Sequence, residues 1–294
     1  MLEVPTINFC SFASCASHVK RSNSVNDMKN GTDVNDISNE KDTAGLIENA
    51  MEDDTLLIAT SGLTDSQIEL YQLPGCKQVG MIPAPNEVKG KTGMVMALHI
   101  LHTMSLSLII IVGYENGRTS VFKRTAFGAQ GQWEQTYTSQ PHLQPILSLD
   151  IDWKLGMYFT SAADAIIARH PFQQADTIPS KDVQTKHSGQ QGLRVRNDGK
   201  VFATAGWDSR IRVYSAKTLK ELAVLKWHKE GCYTVAFADV LDSSTGSSHD
   251  SQRRLEGGHL VRQTMSQRRE TTAQSTHWLA AGSKDGKISL WEIY

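Results

Sequence analysis

The amino-acid sequence predicts an all-β protein, a β-propeller with about five blade-like units. Three observations predict this fold class: short apolar runs alternate with turn residues, no segment keeps a helical period, and one short motif recurs five times. The chain has 294 residues, of which 39% are hydrophobic, below the about 45–50% of a typical globular chain. Two polar segments, described below, account for the deficit.

The predicted strands are runs rich in Val, Ile, Leu, Tyr and Phe, bounded by Gly, Asn or Asp. These runs are 6–12, 56–61, 68–73, 106–112, 119–123, 146–151, 201–205, 211–214, 221–225, 233–240, 279–281 and 288–293. The longest apolar run, 106–112, is far too short to cross a bilayer and fits a buried strand. Many short strands without helices are typical of all-β folds such as propellers.

A recurring motif favours the propeller. Each copy has a turn residue, a small residue three positions earlier and a ring six positions later. The turn residues are Asp65, Asn116, Asp164, Asp208 and Asp285, the small residues are Gly62, Gly113, Ser161, Ala205 and Gly282, and the rings are Tyr71, Phe122, His170, Tyr214 and Trp291. Asp and Asn side chains accept hydrogen bonds from backbone N–H groups in tight turns. We expect the rings to pack between sheets.

The spacing of the motif matches propeller blades, which repeat about every 40–45 residues in one large class. Successive turn residues are 51, 48, 44 and 77 positions apart. Subtracting a polar insert of about 35 residues brings the last spacing to about 42. The copy at Asp164 is the weakest, because Ile167 is followed by Arg169 where the other copies place residues suited to a buried sheet face.

Two segments of the predicted single domain, 1–294, lack the apolar content to pack. The first, about 17–54, is rich in Ser, Asn, Asp and Lys, and the second, about 241–276, is rich in Ser, Gln and Arg. Neither can bury enough surface to offset the entropy of ordering. The sequence therefore predicts two mobile inserts in the propeller.

Charge and cysteine content limit the function classes. The formal net charge is −1, whereas a general nucleic-acid surface needs concentrated positive charge. The four cysteines are too irregularly spaced to indicate a disulfide framework, which favours a reducing compartment. No basic leader precedes the first apolar stretch. We expect a soluble intracellular protein.

Cys10, Cys15 and His18 form a C-x4-C-x2-H pattern. A zinc site needs a fourth ligand and a tetrahedral geometry, and the pattern runs from a predicted strand into a predicted insert. Structural or incidental roles for these residues are therefore favoured over zinc binding. The sequence predicts no metal-binding and no cofactor-binding residues.

The ten histidines are interpreted as structural. His187 and His228 fit hydrogen-bonding positions of the repeat, and His170 fits a ring-packing position. His99 and His102 flank a strand with no evident acid or nucleophile nearby. An enzyme built on a propeller would need convergent acids, histidines or metal ligands at the central channel, and the sequence shows no such set. We predict that the protein is not an enzyme and has no catalytic residues.

Two segments resemble the WD-repeat family: AGWDSRIRVYSAKTLKELAVLKWH at 205–228 and LAAGSKDGKISLWEIY at 279–294. The resemblance implies a structural hydrogen-bond network of His, Ser or Thr, Asp and Trp in each blade. In the first segment's unit the matching residues are His187, Thr204 and Asp208, with Tyr214 at the Trp position. In the last unit they are His228, Asp285 and Trp291. The hydroxyl position of that unit falls on Ala281, so its network is expected to be incomplete, although Ser283 is nearby.

Among WD-repeat proteins, the chain is most similar to the fungal ASTRA-associated family. The similarity lies in PTINFCSF near the start, TAGWDSRIRVYSAKTLKELAVLKWHKEGCYTVAFADV, and HWLAAGSKDGKISLWEIY at the end. It implies a scaffold in a nuclear complex linked to chromatin remodelling and to the stability of large phosphatidylinositol-3-kinase-like kinases. The implied partners are protein subunits: a kinase-like scaffold, telomere-maintenance scaffold proteins and AAA ATPases. Direct nucleic-acid or membrane binding is not implied.

Two alternatives stay open for the function. The chain could serve as another WD-repeat adaptor, either a ubiquitin-ligase substrate receptor or a G-protein-β-like signalling subunit. Co-purifying proteins separate the cases, since kinase and ATPase partners fit the scaffold and a ligase or a membrane receptor fits the alternatives.

The number of motif copies raises a question of completeness. The resembling family has seven blades, whereas this sequence has five copies and starts with a predicted inner strand. We expect an incomplete seven-bladed ring that lacks about two N-terminal blades, with a natural five-bladed ring as the alternative. An unclosed propeller exposes sheet edges, so an incomplete ring is expected to aggregate or to need a partner.

Overall fold

The structure is a computed structural model that describes residues 12–16, 55–83, 92–103, 107–124, 132–172, 180–240 and 264–293. Nineteen strands and one helix lie in these ranges. The strands are β1 Ala13–Ala16, β2 Leu56–Ser61, β3 Ile68–Leu73, β4 Lys77–Ile82, β5 Val95–His102, β6 Leu108–Tyr114, β7 Thr119–Arg124, β8 Trp133–Ser139, β9 Ile146–Asp152, β10 Met157–Ala162, β11 Ile166–Pro171, β12 Lys181–Gln184, β13 Gln190–Val195, β14 Val201–Gly206, β15 Arg210–Ser215, β16 Glu221–Lys226, β17 Cys232–Phe237, β18 Trp278–Ser283 and β19 Ile288–Glu292. The helix is α1 Met265–Ser275. No helix in the described ranges is long and apolar enough to cross a membrane.

The strands form five antiparallel sheets in chain order, which we call blades 1 to 5. Blade 1 holds β1–β4, blade 2 holds β5–β8, blade 3 holds β9–β12, blade 4 holds β13–β16, and blade 5 holds β17–β19. The first strands of successive blades pack side by side, from β1 through β5, β9 and β13 to β17. This arrangement confirms the predicted all-β propeller with five blade-like units among the described residues.

The five predicted turn residues occupy equivalent places. Each lies in the turn between the second and third strands of its blade. Asp164, for example, lies between β10 and β11, and Asp208 lies between β14 and β15. The motif therefore follows the period of the fold, because one copy marks the turn after the second strand of each blade.

The core lies between successive blades. The third strand of each of the first four blades places two alternating side chains against the next blade. Ile211 and Val213 of β15 are 0% and 2% exposed and pack against blade 5. The corresponding Ile288 and Leu290 of β19 are 74% and 66% exposed. Blade 5 thus carries the same apolar pattern on a face that the described residues leave open.

Several elements differ from those the sequence predicted. The first inner strand is Ala13–Ala16, whereas we predicted 6–12; residues 1–11 lie outside the described ranges. Outer strands β8 and β12 were missed because their side chains are mostly polar and exposed, so they carry no apolar alternation. Strand β4, in which only Ile82 is buried, was also missed. The strands β5, β10, β11 and β13 were also missed, although their side chains are mostly buried.

The structure describes none of the first predicted insert, 17–54, and only the end of the second, which was predicted at 241–276. Residues 17–54 and 241–263 lie outside the described ranges. Helix α1, within the second insert, replaces the loop predicted there. Its side chains are exposed where they are described, so burial gave no signal for it. The indole Nε1 of Trp278 donates to the carbonyl of Ala273 at 3.2 Å and ties the end of the helix to blade 5.

Candidate functional site

Blade 3 contains a continuous chain of buried side-chain hydrogen bonds. His142 is fully buried, with its Nδ1 3.0 Å from Asp164 Oδ1 and its Nε2 2.9 Å from Thr160 Oγ1. Thr160 Oγ1 lies 3.3 Å from His170 Nε2, and His170 Nδ1 lies 3.0 Å from the hydroxyl of Tyr137. Because Tyr137 belongs to β8, this series of hydrogen bonds joins blades 2 and 3.

The acceptors fix the direction of this chain. The carboxylate of Asp164 can only accept, so His142 donates from Nδ1 and accepts the Thr160 hydroxyl at Nε2. His170 then donates to Thr160 from Nε2 and accepts from Tyr137 at Nδ1, which is the hydrogen-bonding pattern of a neutral ring. Burial, with a smaller contribution from the nearby His142, lowers the pKa of His170 to about 3. With His170 uncharged, every group in this series of hydrogen bonds has a partner.

Asp164 is the acceptor at one end of this series of hydrogen bonds. Besides His142, it accepts the backbone N–H groups of Ile166 and Leu143 at 2.9 and 3.1 Å. Burial alone would raise the pKa of Asp164, but the hydrogen bonds from His142 and from the backbone outweigh burial and lower it. The carboxylate therefore connects the loop before β9 to the turn after β10.

Blade 5 builds the same network with one residue exchanged. His228 is fully buried and lies 3.1 Å from Asp285 Oδ2 through Nδ1 and 2.9 Å from Ser289 Oγ through Nε2. Trp291 Nε1 donates to Ser289 Oγ at 2.9 Å. Ser289 is the direct cross-strand partner of Ala281. The network that the sequence predicted as incomplete is therefore closed from the neighbouring strand, by Ser289 and not by Ser283.

Blade 3 carries this pair in the opposite arrangement. Thr160 of β10 faces Ala168 of β11, whereas Ala281 of β18 faces Ser289 of β19. One hydroxyl and one methyl occupy each cross-strand pair, and either strand can supply the hydroxyl to the histidine. The hydroxyl that the buried histidine needs can therefore come from either member of the cross-strand pair, and not only from the second strand.

Exchanging this pair in blade 5 gives a first testable prediction. Ser289→Ala should lower the free energy of unfolding by about 1–3 kcal/mol, because His228 and Trp291 each lose a buried partner. Adding Ala281→Ser should restore about half or more of that loss, because it recreates the arrangement of blade 3. Denaturant unfolding of the two variants measures both effects. Ala281→Ser alone is the matched control, and a double variant no more stable than Ser289→Ala would contradict the exchange.

Blade 4 departs from the network that the sequence predicted there. His187 is 42% exposed and its Nδ1 lies 3.8 Å from Asp208 Oδ2. The carboxylate of Asp208 is held instead by Arg212, whose Nη1 donates at 3.0 Å and whose side chain is 3% exposed. The hydroxyl of Thr204 donates to Gln190. An arginine and a glutamine thus take the roles expected of His187.

The rings of blade 4 pack as the motif suggested. Tyr214 is buried and stacks on Phe202, with ring centroids 5.1 Å apart. Phe202 in turn lies 4.8 Å from Phe159 of blade 3. Burial raises the pKa of the Tyr214 phenol above its ordinary value. This aromatic column fills the seam between blades 3 and 4.

Blades 1 and 2 keep the turn but use other side chains. Asn116 Oδ1 accepts the backbone N–H of Arg118 at 3.0 Å, and Phe122 is buried in the seam with blade 1. Tyr71 donates to Glu69 at 2.7 Å. Asp65 lies in the turn between β2 and β3, beside Ser66, which donates to the carbonyl of Gly93 at 2.7 Å. These blades are joined through backbone and hydroxyl contacts.

The end of the propeller that carries these turns is the candidate binding surface. We call it the turn face: the turns between second and third strands, together with the loops that lead into β5, β9, β13 and β17. Large apolar side chains on it are exposed: Leu63 79%, Leu143 83%, Trp207 46% and Trp227 51%. Such side chains, when they converge on one surface, are typical of protein-binding sites.

Trp207 is held in place on the turn face. Its indole Nε1 donates to Gln191 Oε1 at 2.9 Å. A Cβ added to Gly189 would come within 2.2 Å of the indole ring, and Gly189 has a φ of +72°. Glycine is required there because it allows both the left-handed turn and the close approach of the ring. Tyr233, 44% exposed, lies beside Gly231 and next to the backbone of Trp207.

A cavity of about 410 Å³ lies below the turn face. Residues from all five inner strands line it. His99 of β5 is on its wall, and His99 Nε2 lies 3.7 Å from Asp150 Oδ1 of β9. The sequence suggested no acid beside His99. The structure corrects this point, because neighbouring inner strands bring distant residues together.

The environment of this pair favours the neutral forms. Burial lowers the pKa of His99 although Asp150 opposes the change. Burial also raises the pKa of Asp150, against a backbone hydrogen bond from Val195. Arg194 of β13 also lines the cavity. A histidine and an arginine therefore line the wall, and the carboxylate of Asp150 lies next to the histidine outside the lining; sequence reasoning missed this set.

The predicted cysteine and histidine pattern is mostly outside the described ranges. Cys10 and His18 both lie there, while Cys15 is half-buried in β1. Burial raises the pKa of the Cys15 thiol to about 11. Within the described ranges, no cluster of three or more His, Cys, Asp or Glu side chains is arranged to hold a metal ion.

Comparison with known proteins adds family evidence. Residues 180–215 and 271–292 match the family described as WD domain, G-beta repeat. ASTRA-associated protein 1 of Aspergillus flavus is 41% identical over 312 aligned residues, covering 100% of this chain and 70% of the relative. ASTRA-associated protein 1 of Verticillium alfalfae is also 41% identical, and the chain covers 66% of it. The chain thus spans about two thirds of the length of these relatives.

A more distant relative comes from an animal. Guanine nucleotide-binding protein subunit beta-like protein 1 of Mus musculus is 26% identical over 242 residues, covering 81% of this chain and 60% of the relative.

Proposed function

Because the chain belongs to the family of ASTRA-associated WD-repeat proteins, we propose that it is a non-catalytic scaffold subunit of an ASTRA-like multiprotein complex. In this role it joins other subunits by burying complementary surface and performs no chemistry itself. The name shared by the fungal relatives supports the assignment to that complex. The five blades that the described residues form support a binding role, since a rigid propeller leaves its loops free to bind.

The turn face is the observation that carries this proposal. Its exposed Trp207 and Trp227 are large rings fixed by neighbouring residues, and Trp is enriched among the residues that dominate binding energy. Trp227 stands in edge contact with His228, with ring centroids 4.9 Å apart, and Lys287 Nζ lies 5.6 Å from its centre. Rings that are already positioned lose little side-chain entropy when a partner binds.

The finer role follows from the family resemblance. We propose that the complex is nuclear, that it takes part in chromatin remodelling, and that it supports the assembly or stability of large phosphatidylinositol-3-kinase-like kinases. The partners are then a kinase-like scaffold, telomere-maintenance scaffold proteins and AAA ATPases. Each contact is a protein surface, and direct contact with nucleic acid or membrane is not part of the proposal.

Affinity purification of the tagged full chain tests the turn face. We expect Trp207→Ala to lower the affinity for the complex subunits by about 30-fold or more, and so to reduce their recovery. The reason is that loss of a buried interface Trp costs about 2 kcal/mol or more of binding free energy. Trp153→Ala is the matched control, because Trp153 is 51% exposed in the turn between β9 and β10 at the opposite end. Quantitative mass spectrometry of the recovered proteins and thermal unfolding of each variant complete the comparison.

Two results would argue against the scaffold proposal. Equal recovery with Trp207→Ala and the parent chain would remove the turn face as the binding surface. Recovery of a ubiquitin ligase or a membrane receptor, without kinase-like or ATPase subunits, would favour another adaptor role. The likeness to the mouse G-protein-β-like protein makes a signalling subunit the second candidate.

A further inference from the structure

The wall of the central cavity is basic. Arg194 and His99 line it, and within the described ranges no Asp or Glu does. Asp150, which is not part of the lining, directs Oδ2 to the backbone N–H of Val195 at 2.7 Å. Since burial keeps His99 neutral, the charge that faces the cavity is the guanidinium of Arg194.

Arg194 has hydrogen-bond donors to spare. Among the described residues its guanidinium makes one hydrogen bond, from Nη1 to the carbonyl of Leu193 at 2.7 Å, whereas a guanidinium carries five N–H donors. The hydroxyls of Ser14, Tyr233 and Thr234 line the same cavity. A cation with free donors, in a cavity that hydroxyl-bearing residues also line, fits a carboxylate, which accepts two parallel hydrogen bonds from arginine.

The cavity lies on the side of the turn face. On β13 its lining runs from Gln191, next to the loops of that face, to Arg194, three residues farther along the strand. Gln191 connects the two places, because it lines the cavity and also accepts the indole N–H of Trp207. A segment that packs on Trp207 can therefore extend a side chain into the cavity.

We propose that the cavity binds the carboxylate of a Glu or Asp side chain from an acidic, partly apolar segment of a partner protein. Arg194 holds the carboxylate, the hydroxyls complete its hydrogen bonds, and the apolar part of the segment packs on Trp207 and Tyr233. This inference rests on the proposed scaffold function, because the occupant belongs to a docked protein.

A labelled short peptide of alternating glutamate and leucine tests the proposal on the full chain. Fluorescence anisotropy should show that it binds at least about 10-fold more tightly than the same peptide with glutamine in place of glutamate, as expected for charge-assisted hydrogen bonds. Arg194→Gln should remove that difference. Lys220→Gln should change the affinity less than about twofold, because Lys220 is exposed in the turn between β15 and β16 at the other end.

Two controls distinguish loss of the carboxylate site from loss of folding: the Arg194→Lys variant, and thermal unfolding of every variant. Lysine keeps the charge but not the fork of the guanidinium, so the expected discrimination between peptides is intermediate. Equal affinity of the two peptides for the parent chain would overturn the proposal, as would unchanged discrimination in a folded Arg194→Gln variant. Complex recovery that stays sensitive to Trp207→Ala while the peptides bind equally would remove the carboxylate site and leave the scaffold function standing.

Discussion

We expect His142→Ala to lower the free energy of unfolding by about 3–5 kcal/mol, a large share of the stability of a typical domain. The imidazole is fully buried and bridges Asp164 and Thr160. Its removal leaves a cavity and takes one hydrogen bond from buried Thr160 and one from half-buried Asp164, each at about 1 kcal/mol or more. Because Thr160 also connects to His170 and Tyr137, the loss extends to the seam between blades 2 and 3. Denaturant unfolding at neutral pH measures the effect.

His187→Ala is the matched control for this prediction. His187 occupies the corresponding loop of blade 4, but it is 42% exposed and 3.8 Å from its carboxylate. Its loss should therefore cost less than about 1 kcal/mol, as for other exposed pairs. A similar loss in the two variants would mean that the blade 3 chain contributes little beyond an ordinary loop position.

The sequence predicted the turns better than their partners. An Asp or Asn in a tight turn is decided by neighbouring residues, so five copies could be aligned without knowing the fold. The histidines that bind Asp164 and Asp285 lie in the loops before β9 and β17, and the motif does not include these positions. His142 could have been found, because it precedes Asp164 by 22 positions and His187 precedes Asp208 by 21. The copy at Asp164, the weakest by apolar alternation, contains the longest buried chain of side chains.

Cross-strand exchange explains the remaining misses in the networks. A search for one hydroxyl position finds Thr204 and rejects Ala281, yet Ser289 supplies the missing hydroxyl from the paired strand. In blade 4, Thr204 faces Arg212 across the strands, and that arginine takes Asp208. Which residue supplies the hydrogen bond depends on strand register, and strand register cannot be determined from a single sequence. The buried Arg169 that interrupted the motif is likewise satisfied at a distance, by carbonyls of Ala216 and Lys217.

The central cavity was beyond sequence reasoning for a topological reason. Its wall takes a few residues from each inner strand, and these strands are separated by the three outer strands of every blade. His99, Asp150 and Arg194 therefore carry no common spacing. Only the order of blades around the axis brings them together. The exposed rings of the turn face share this property, since Trp207 and Trp227 come from different loops.

Acid should destabilise the protein through His170. Its folded pKa is about 3 and its unfolded pKa is about 6.5, so between these values the unfolded chain binds the extra proton. Stability is then complete above about pH 6.5 and falls as the pH decreases. At pH 5 the loss from this one residue is about 2 kcal/mol. Asp164, whose folded pKa is lowered, adds its loss only at lower pH, near the usual carboxylate range.

His170→Gln isolates this contribution. Glutamine does not titrate, and its amide can still donate to Thr160 and accept from Tyr137. The variant should lose about 2 kcal/mol less than the parent chain between pH 7.5 and pH 5, whatever its stability at neutral pH. Denaturant unfolding at the two pH values gives the comparison, with His187→Gln as the control at an exposed histidine. If both proteins lose the same free energy of unfolding between the two pH values, His170 is not the source of the acid sensitivity. His99, whose pKa is also lowered by burial, would then be the next residue to test.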